Sequence, residues 1–464
     1  MKILLILPAS EKVRVTRERP EVPRRAMLRF SVLPLTIVAA LTPREHEVSV
    51  VDENVEALDL ETDCDVVGIT FMTALAPRAY QIAAHFRSRG KVVVGGGYHP
   101  TLCPGDAAAH LDAVVIGDAE GAWERLLADI EAGALRKYYR AAEDSGALKT
   151  PCARRELLTQ TAEHYATVNA VQAGRGCRHS CRYCSVTVFH EQKYRRREIA
   201  EVVREIASMR GDFIFVDDNI IADREYAAAL FCALAPLRKR WVSQCSVLIA
   251  DDAELLKLAH DAGCRGLFLG VETDSEANLA QMNKRFNRAS TYGERLERIH
   301  RAGIGVIAGM IVGMDEDDVS VFERTLRFLE QTRVDALQLN ILTPLPGTPL
   351  HAEMKSAGRV VDGDWRHYDY RHVVFQPARM SAEQLQAGAD WLYGEFYRLD
   401  RILWRFARGV IGVGIEAAWL GLKLGLTYRY DNRREGIRGR NPAHGRTTAV
   451  KSHWWKEAVS MPAA

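Results

Sequence analysis

Short apolar runs alternate with helix-length amphipathic stretches along most of this chain, and that alternation restricts its fold more than any other feature. Apolar runs fall at 1–7, 46–51, 65–71, 91–94 and 113–116, with helical patterns at 33–41, 77–88 and 122–131. Runs of this length read as strands buried on both faces, and strand–helix–strand repeats at this spacing specify a parallel, doubly wound sheet. Ligands of such sheets sit beyond the carboxyl ends of the strands. The rhythm breaks over 139–167, where a linker is expected. It restarts with strands at 170–173, 213–216, 241–247, 266–271, 305–311 and 336–341, and helices at 198–209, 224–237, 253–262, 291–301 and 319–331. Six strands do not complete an eight-stranded barrel, so a partial (β/α)6 barrel is expected. The turn residues LPGTP at 345–349 stop that sheet.

The expected division is therefore an α/β, Rossmann-like domain over 1–138, a linker over 139–167, a partial barrel over 168–375 and a helical region with a basic tail over 376–464. A length of 464 residues accommodates this. A formal net charge of +2 argues against nucleic acid as the main partner. The opening MKILLILP reads as a first strand rather than a secretory signal, since no small-residue cleavage site follows. No uninterrupted apolar run reaches the length of a spanning helix, so the expected compartment is the cytoplasm. Nine cysteines, unevenly spread, are not expected to form disulfides there.

Three of those cysteines are clustered. GRGCRHSCRYCSV sets Cys177, Cys181 and Cys184 in C-x3-C-x2-C spacing after the first strand of the second unit. Thiolates are the ligands that iron–sulfur clusters require. A closed zinc site needs four ligands. His179 and His190 are available as a fourth, so ligand counting alone leaves zinc open.

C-x3-C-x2-C with an aromatic residue, Tyr183, before the last cysteine resembles the radical S-adenosylmethionine (radical SAM) enzymes. The resemblance implies a [4Fe-4S] cluster on the three cysteines. The open iron of that cluster chelates the amino and carboxylate groups of S-adenosylmethionine, whose cleavage yields a 5′-deoxyadenosyl radical. Further matches follow in order over 168–350. Val216, Asp217, Asp218 and Asn219 end the second strand, where the family contacts the methionine amine, although the usual form there has glycines and a glutamate. Plain helix capping is the other reading of these acidic residues. Gly270, Val271 and Glu272 end the fourth strand, where a carboxylate can accept hydrogen bonds from ribose; a salt bridge is the alternative. Gly309, Ile311, Gly313 and Glu316 match the family stretch that backs the adenine, and Tyr183 would present its backbone to the same ring.

Beside such a domain, the N-terminal sheet resembles a cobalamin-binding domain. GITFMT, GGGYHPT and VVIGDAEG follow the order of its loops. Thr70, Met72, Thr73, Gly95, Gly96, Gly97, Thr101 and Gly117 would then line the nucleotide tail of the corrinoid. No D-x-H-x-x-G string is found, so His99 on the glycine loop is expected to be a loop residue, with cobalt not His-ligated.

The layout is similar to members that act on hopanoids, other lipids or pigment precursors. It implies a C-methyltransferase acting on an unactivated carbon of a hydrophobic small molecule, supplied with electrons by a flavodoxin or ferredoxin. The alternatives are radical oxidation, cyclisation or carbon–carbon coupling without net methylation, and a non-catalytic cobalamin or redox sensor. The stretch 402–427 is mostly apolar, interrupted by Arg405, Arg408, Glu416 and Lys423. Two readings of it stand: a capping helix, or peripheral contact with the inner face of a membrane. In the second, Leu403, Phe406, Val410 and Ile411 would face lipid, and Arg405 and Arg408 would reach its phosphates. Glycines at 409, 412, 414, 421 and 425 would weaken a solitary helix.

Overall fold

A computed structural model describes residues 1–22, 29–141 and 148–434, with 432–434 described by backbone alone. The basic stretch 433–456 lies outside the described side chains. The chain divides into two compact units, Met1–Gly176 with Ser185–Met209, and Cys177–Cys184 with the residues from Arg210 onward.

In the first unit, β1 (Lys2–Leu7), α1 (Leu33–Leu41), β2 (Glu47–Asp52), β3 (Val66–Thr70), α2 (Ala76–Ser88), β4 (Val92–Gly96), α3 (Tyr98–Leu102), α4 (Pro104–His110), β5 (Ala113–Ile116), α5 (Ala122–Glu131) and β6 (Tyr138–Arg140) follow in sequence. The strands pair in parallel in the order β2-β1-β3-β4-β5-β6. Strand β1 buries four consecutive residues because helices cover both faces of the sheet. Ile3, Leu5, Val66, Val94 and Trp123 meet in the core. The strand order reverses between β1 and β3, which places the ligand crevice beyond Leu7 and Thr70.

The stretch expected as a linker carries structure of its own. Strand β6 joins the sheet at its edge, and a 3₁₀ segment, Arg155–His164, buries Leu158 against the same core. Next come β7 (Ala170–Val171), β8 (Gly174–Gly176), α6 (Ser185–Phe189), β9 (Tyr194–Arg196) and α7 (Ile199–Ser208). Strands β8 and β9 form an antiparallel hairpin.

The second unit contains β10 (Phe213–Phe215), α8 (Arg224–Leu234), β11 (Trp241–Cys245), α9 (Ala253–Asp261), β12 (Cys264–Glu272), α10 (Glu276–Gln281), α11 (Tyr292–Arg301), β13 (Gly305–Val312), α12 (Val321–Gln331), β14 (Ala336–Ile341), α13 (Pro349–Ser356), α14 (Ala382–Phe396), α15 (Leu399–Gly412) and α16 (Ile415–Arg434). Strands β10 to β14 are parallel, and each pairs with the next in sequence. With helices between them, that is the order of a barrel wall, and loops at the carboxyl ends carry the site. Helix α10 is absent from the sequence-based expectation, and it launches a loop that proves central.

The apolar stretch 402–427 is two helices rather than one. Gly414, at φ +115°, breaks it, and α15 and α16 fold back on each other. Here the glycines permit close packing: a Cβ on Gly409 would lie 3.2 Å from that of Ala418, and one on Gly425 would lie 3.3 Å from Ile402. Glu416 pairs with Arg265 at 3.1 Å, and Ala417 packs near Gly305 at the start of β13. The hairpin thus covers the end of the strands opposite the candidate site. Leu403, Val410 and Ile411 are exposed, as a membrane face would require. Phe406 instead packs on Trp419, and Arg405 lies 3.9 Å over the Phe396 ring and donates to the Phe396 carbonyl. Arg405 is therefore folded inward and not placed to reach lipid phosphates. Among the described residues, no helix is long and apolar enough to cross a membrane.

Candidate active site

Cys177, Cys181 and Cys184 lie on one loop, and their thiols feel one another electrostatically. Burial pushes the Cys177 thiol up, and the charges of Cys184 and Asp218 push it further. Burial drives Cys181 up to about 12, against the pull of Lys284. Thiols this reluctant to ionise alone suit a site where bound iron supplies the compensating charge. Among the described residues, no three Cys, His, Asp or Glu side chains stand close enough to grip a single metal ion. Of the two histidines available as a fourth ligand, His179 stacks on Phe286 at 3.7 Å, while His190 accepts a 3.0 Å hydrogen bond from Arg195.

The loop is held by residues about a hundred positions away. Arg182 donates its backbone N–H to the Met282 carbonyl at 3.2 Å. Asn283 donates to the Ser180 carbonyl at 3.0 Å and to its hydroxyl at 2.7 Å. Asn287 donates to the Gly270 carbonyl at 2.9 Å, tying the same segment to the end of β12. Residues 282–287 therefore strap the cysteine loop to that strand end. The sequence reading missed this segment. Its one local signal is Asn283, a residue type that tolerates the left-handed conformation it adopts at φ +56°.

At the centre of the strap, the buried ammonium of Lys284 donates to Glu272 Oε1 at 2.5 Å and to the Tyr183 hydroxyl at 3.3 Å. Glu272 reaches it because β12 shifts register between Gly270 and Glu272, and Glu272 itself sits at φ +70°. Bulges re-aim side chains in this way, and left-handed backbone at a non-glycine residue is a strain that clusters at functional sites. Burial holds the Tyr183 phenol far above its ordinary pKa, and the Glu272 charge reinforces this. The salt bridge that was the alternative role of Glu272 is thus present, and its partner is Lys284.

Asp217 is wholly buried just beyond β10, and Asp218 lies close enough to Cys177 to affect its thiol. Asn219 accepts from the Ser246 backbone at 3.0 Å, a supporting role. A Cβ on Gly309 would lie 2.9 Å from the Phe268 ring, and one on Gly313 would lie 2.6 Å from Leu385. Both positions offer a ligand only their backbone. Ile311 is nearly buried beside them. Glu316 pairs with Arg379 at 2.5 Å.

In the first unit, the residues expected to line a corrinoid gather at the carboxyl ends of β3, β4 and β5. Gly97 has φ +95° and ψ −162°, a conformation open essentially to glycine alone, and a Cβ there would lie 2.7 Å from Thr70 Oγ1. Gly117, at φ +79°, donates its N–H to Thr101 Oγ1 at 2.9 Å. Met72 is exposed at the switch point, whereas Thr73 is buried. The Cβ missing from Gly95 would lie 2.3 Å from Leu111, so close packing at the end of β4 requires a glycine there. Gly96 has only ordinary contacts, with Val115. His99 is fully buried: Nδ1 meets Thr73 Oγ1 at 3.3 Å, and Nε2 meets Asp106 at 2.9 Å and the Tyr80 hydroxyl at 3.1 Å. Both ring nitrogens are engaged, and His99 lies in α3 rather than on the glycine loop where the sequence placed it. The loop after β5 is clamped by Arg175, which pairs with Asp118 at 3.1 Å and Glu120 at 2.8 Å.

Comparison with known proteins agrees with both halves of this geometry. Residues 171–329 match the Radical SAM superfamily, and residues 28–127 match the B12 binding domain. The chain is 31% identical to bacteriochlorophyllide d C-12(1)-methyltransferase of Chlorobaculum tepidum, over 80% of this chain and 84% of that protein. The chain belongs to the radical SAM superfamily. It is also 27% identical to the hopanoid C-2 methylase of Rhodopseudomonas palustris, over 72% of this chain and 66% of that protein. Its fold is similar to that of TsrM from Kitasatospora setae, a radical S-adenosylmethionine methyltransferase solved with cobalamin and a [4Fe-4S] cluster, at TM-score 0.60 and 18% identity over 77% of this chain and 78% of that one. This radical SAM protein is therefore an enzyme whose cofactors are a [4Fe-4S] cluster, S-adenosylmethionine and cobalamin.

Proposed function

We propose that this chain is a C-methyltransferase that places a methyl group on an unactivated carbon of a hydrophobic, pigment- or lipid-like small molecule. The observation that carries this reading is the similarity over 80% of the chain to a bacteriochlorophyllide methyltransferase, joined to a cysteine loop and a match to the B12 binding domain on the same chain. When bound, the cofactors supply a 5′-deoxyadenosyl radical and a transferable methyl group, while the protein orients and shields them.

In this reading Cys177, Cys181 and Cys184 hold the cluster, and Asp217 and Asp218 accept from the methionine amine. Glu272 accepts from the ribose hydroxyls. The backbone of Tyr183, Gly309, Ile311 and Gly313 flanks the adenine. Thr70, Met72, Gly96, Gly97, Thr101 and Gly117 border the corrinoid, with Gly95 and Thr73 supporting them from behind. The domain roles follow: residues 1–138 hold cobalamin, and 168–375 form the radical domain. A low-potential donor of the flavodoxin or ferredoxin type supplies electrons. The exposed row of Leu403, Val410 and Ile411 gives the hairpin a surface for peripheral membrane contact, tested by co-sedimentation with anionic liposomes.

The function is tested by incubating the reconstituted enzyme with methyl-deuterated S-adenosylmethionine and pigment and lipid extracts of cells lacking the gene. The reading predicts a product carrying one intact labelled methyl group. Turnover that forms 5′-deoxyadenosine and alters the substrate without label would instead establish oxidation, cyclisation or coupling.

A further inference from the structure

Lys284 is buried, and its ammonium faces the buried carboxylate of Glu272, which an apolar side chain in its place would leave without a counter-charge. Burial works against the charge on Lys284, and Glu272 offsets it. The Lys284 ammonium also reaches the hydroxyl of Tyr183, the residue next to Cys184, at 3.3 Å. Residues 282–287 fix this ammonium in place through Asn283 and Asn287, and the Glu272 bulge turns the counter-charge toward it. A positive charge, buried and fastened against the loop that carries the three cysteines, therefore faces a single carboxylate at 2.5 Å.

We propose that Lys284 sets the reduction potential of the cluster on Cys177, Cys181 and Cys184, with Glu272 as the opposing charge that moderates it. The inference rests on the assignment of those cysteines as cluster ligands. The step concerned is the uptake of one electron by the cluster from a low-potential donor; no bond forms or breaks. Reduction adds one negative charge, so a fixed cation nearby stabilises the reduced form and raises the potential, and a nearby anion lowers it. Charge and hydrogen bonding around the sulfurs are the protein's levers on such potentials. They act strongly here because Lys284 and Glu272 are both buried. Lys284 is thus a positioning residue for electron entry, acting through the cluster.

The test is a potentiometric titration of the anaerobically reconstituted full chain, followed by electron paramagnetic resonance, for wild type, Lys284→Met, Lys284→Arg and Glu272→Gln. Iron content is measured in each. Lys284→Met should shift the potential more negative, Lys284→Arg should restore it, and Glu272→Gln should shift it more positive. A role confined to fastening the loop would alter thermal stability without this signed pattern. Should Lys284→Met fail to hold iron, Glu272→Gln still decides: an unchanged or more negative potential there overturns the proposal. Coincident potentials for wild type and a loaded Lys284→Met also overturn it. Absence of a cluster from wild type would instead refute the ligand assignment on which it rests.

Discussion

The two units share a parallel-sheet plan but build their sites differently. In the second unit the ligands are side chains, three thiols within eight residues, held by the strap of 282–287. In the first unit the site is mostly backbone and hydroxyls spread over several loops, and its one histidine is tied up in the interior. A side-chain site concentrates its chemistry in few atoms and fails at a single substitution. A backbone site depends on shape and fails only where a loop can no longer adopt its conformation.

That contrast is open to a paired assay of iron and corrinoid in the same preparations. The largest effect is expected in the second unit. Cys177→Ala or Cys181→Ala should abolish binding of about four irons per chain while leaving corrinoid stoichiometry intact. Replacement of Cys64, Cys103, Cys232 or Cys264 should change neither. Loss of iron from one of those four would break the contrast.

Next in size is Gly97→Val. At φ +95° and ψ −162° any side chain is strained, and a Cβ would meet Thr70. The backbone term alone costs about 1–3 kcal/mol, so corrinoid occupancy should fall several-fold or more while iron is retained. Equal loss of both would show that the two sites do not fail independently.

A smaller effect concerns pH. Burial lowers His190 from its usual range to about 4, outweighing Asp118, which favours the proton, while Arg195 and Arg175 add to the lowering. The unfolded chain takes up that proton near pH 6.5. The contribution of neutral His190 is therefore complete above about pH 6.5 and is lost as pH falls toward 4, amounting to on the order of 3 kcal/mol. Chemical denaturation from pH 7.5 to 4.5 should show this slope, and His190→Gln should flatten it. The smallest expected change is in the cobalt spectrum of His99→Ala. That variant loses a buried hydrogen-bond network and some stability, but its Co(II) signal should match wild type. Nitrogen hyperfine structure that is present in wild type and absent from the variant would make His99 a ligand.

What the sequence revealed divides along the same line. Cys177, Cys181 and Cys184 were legible because they are neighbours in the chain and their spacing, with Tyr183, carries the family resemblance. The strands were legible because both sheets are covered by helices, which leaves uninterrupted apolar runs such as that of β1. Lys284 was not legible: its meaning comes from Glu272 and Tyr183, which the fold brings to it. Strand β6 was missed because an edge strand of three residues, two of them exposed, has no apolar signature. The α15–α16 hairpin was missed because glycines that weaken one helix are the same residues that let two pack closely.

The central claim is that the three cysteines of the C-x3-C-x2-C loop hold the cluster that cleaves S-adenosylmethionine. Its most direct test compares anaerobically reconstituted wild type with Cys184→Ala, both dithionite-reduced and mixed with S-adenosylmethionine, by measuring iron content and 5′-deoxyadenosine release together. The account predicts a cluster signal and 5′-deoxyadenosine from wild type and neither from the variant. A Cys184→Ala protein that kept its iron and still released 5′-deoxyadenosine would contradict it.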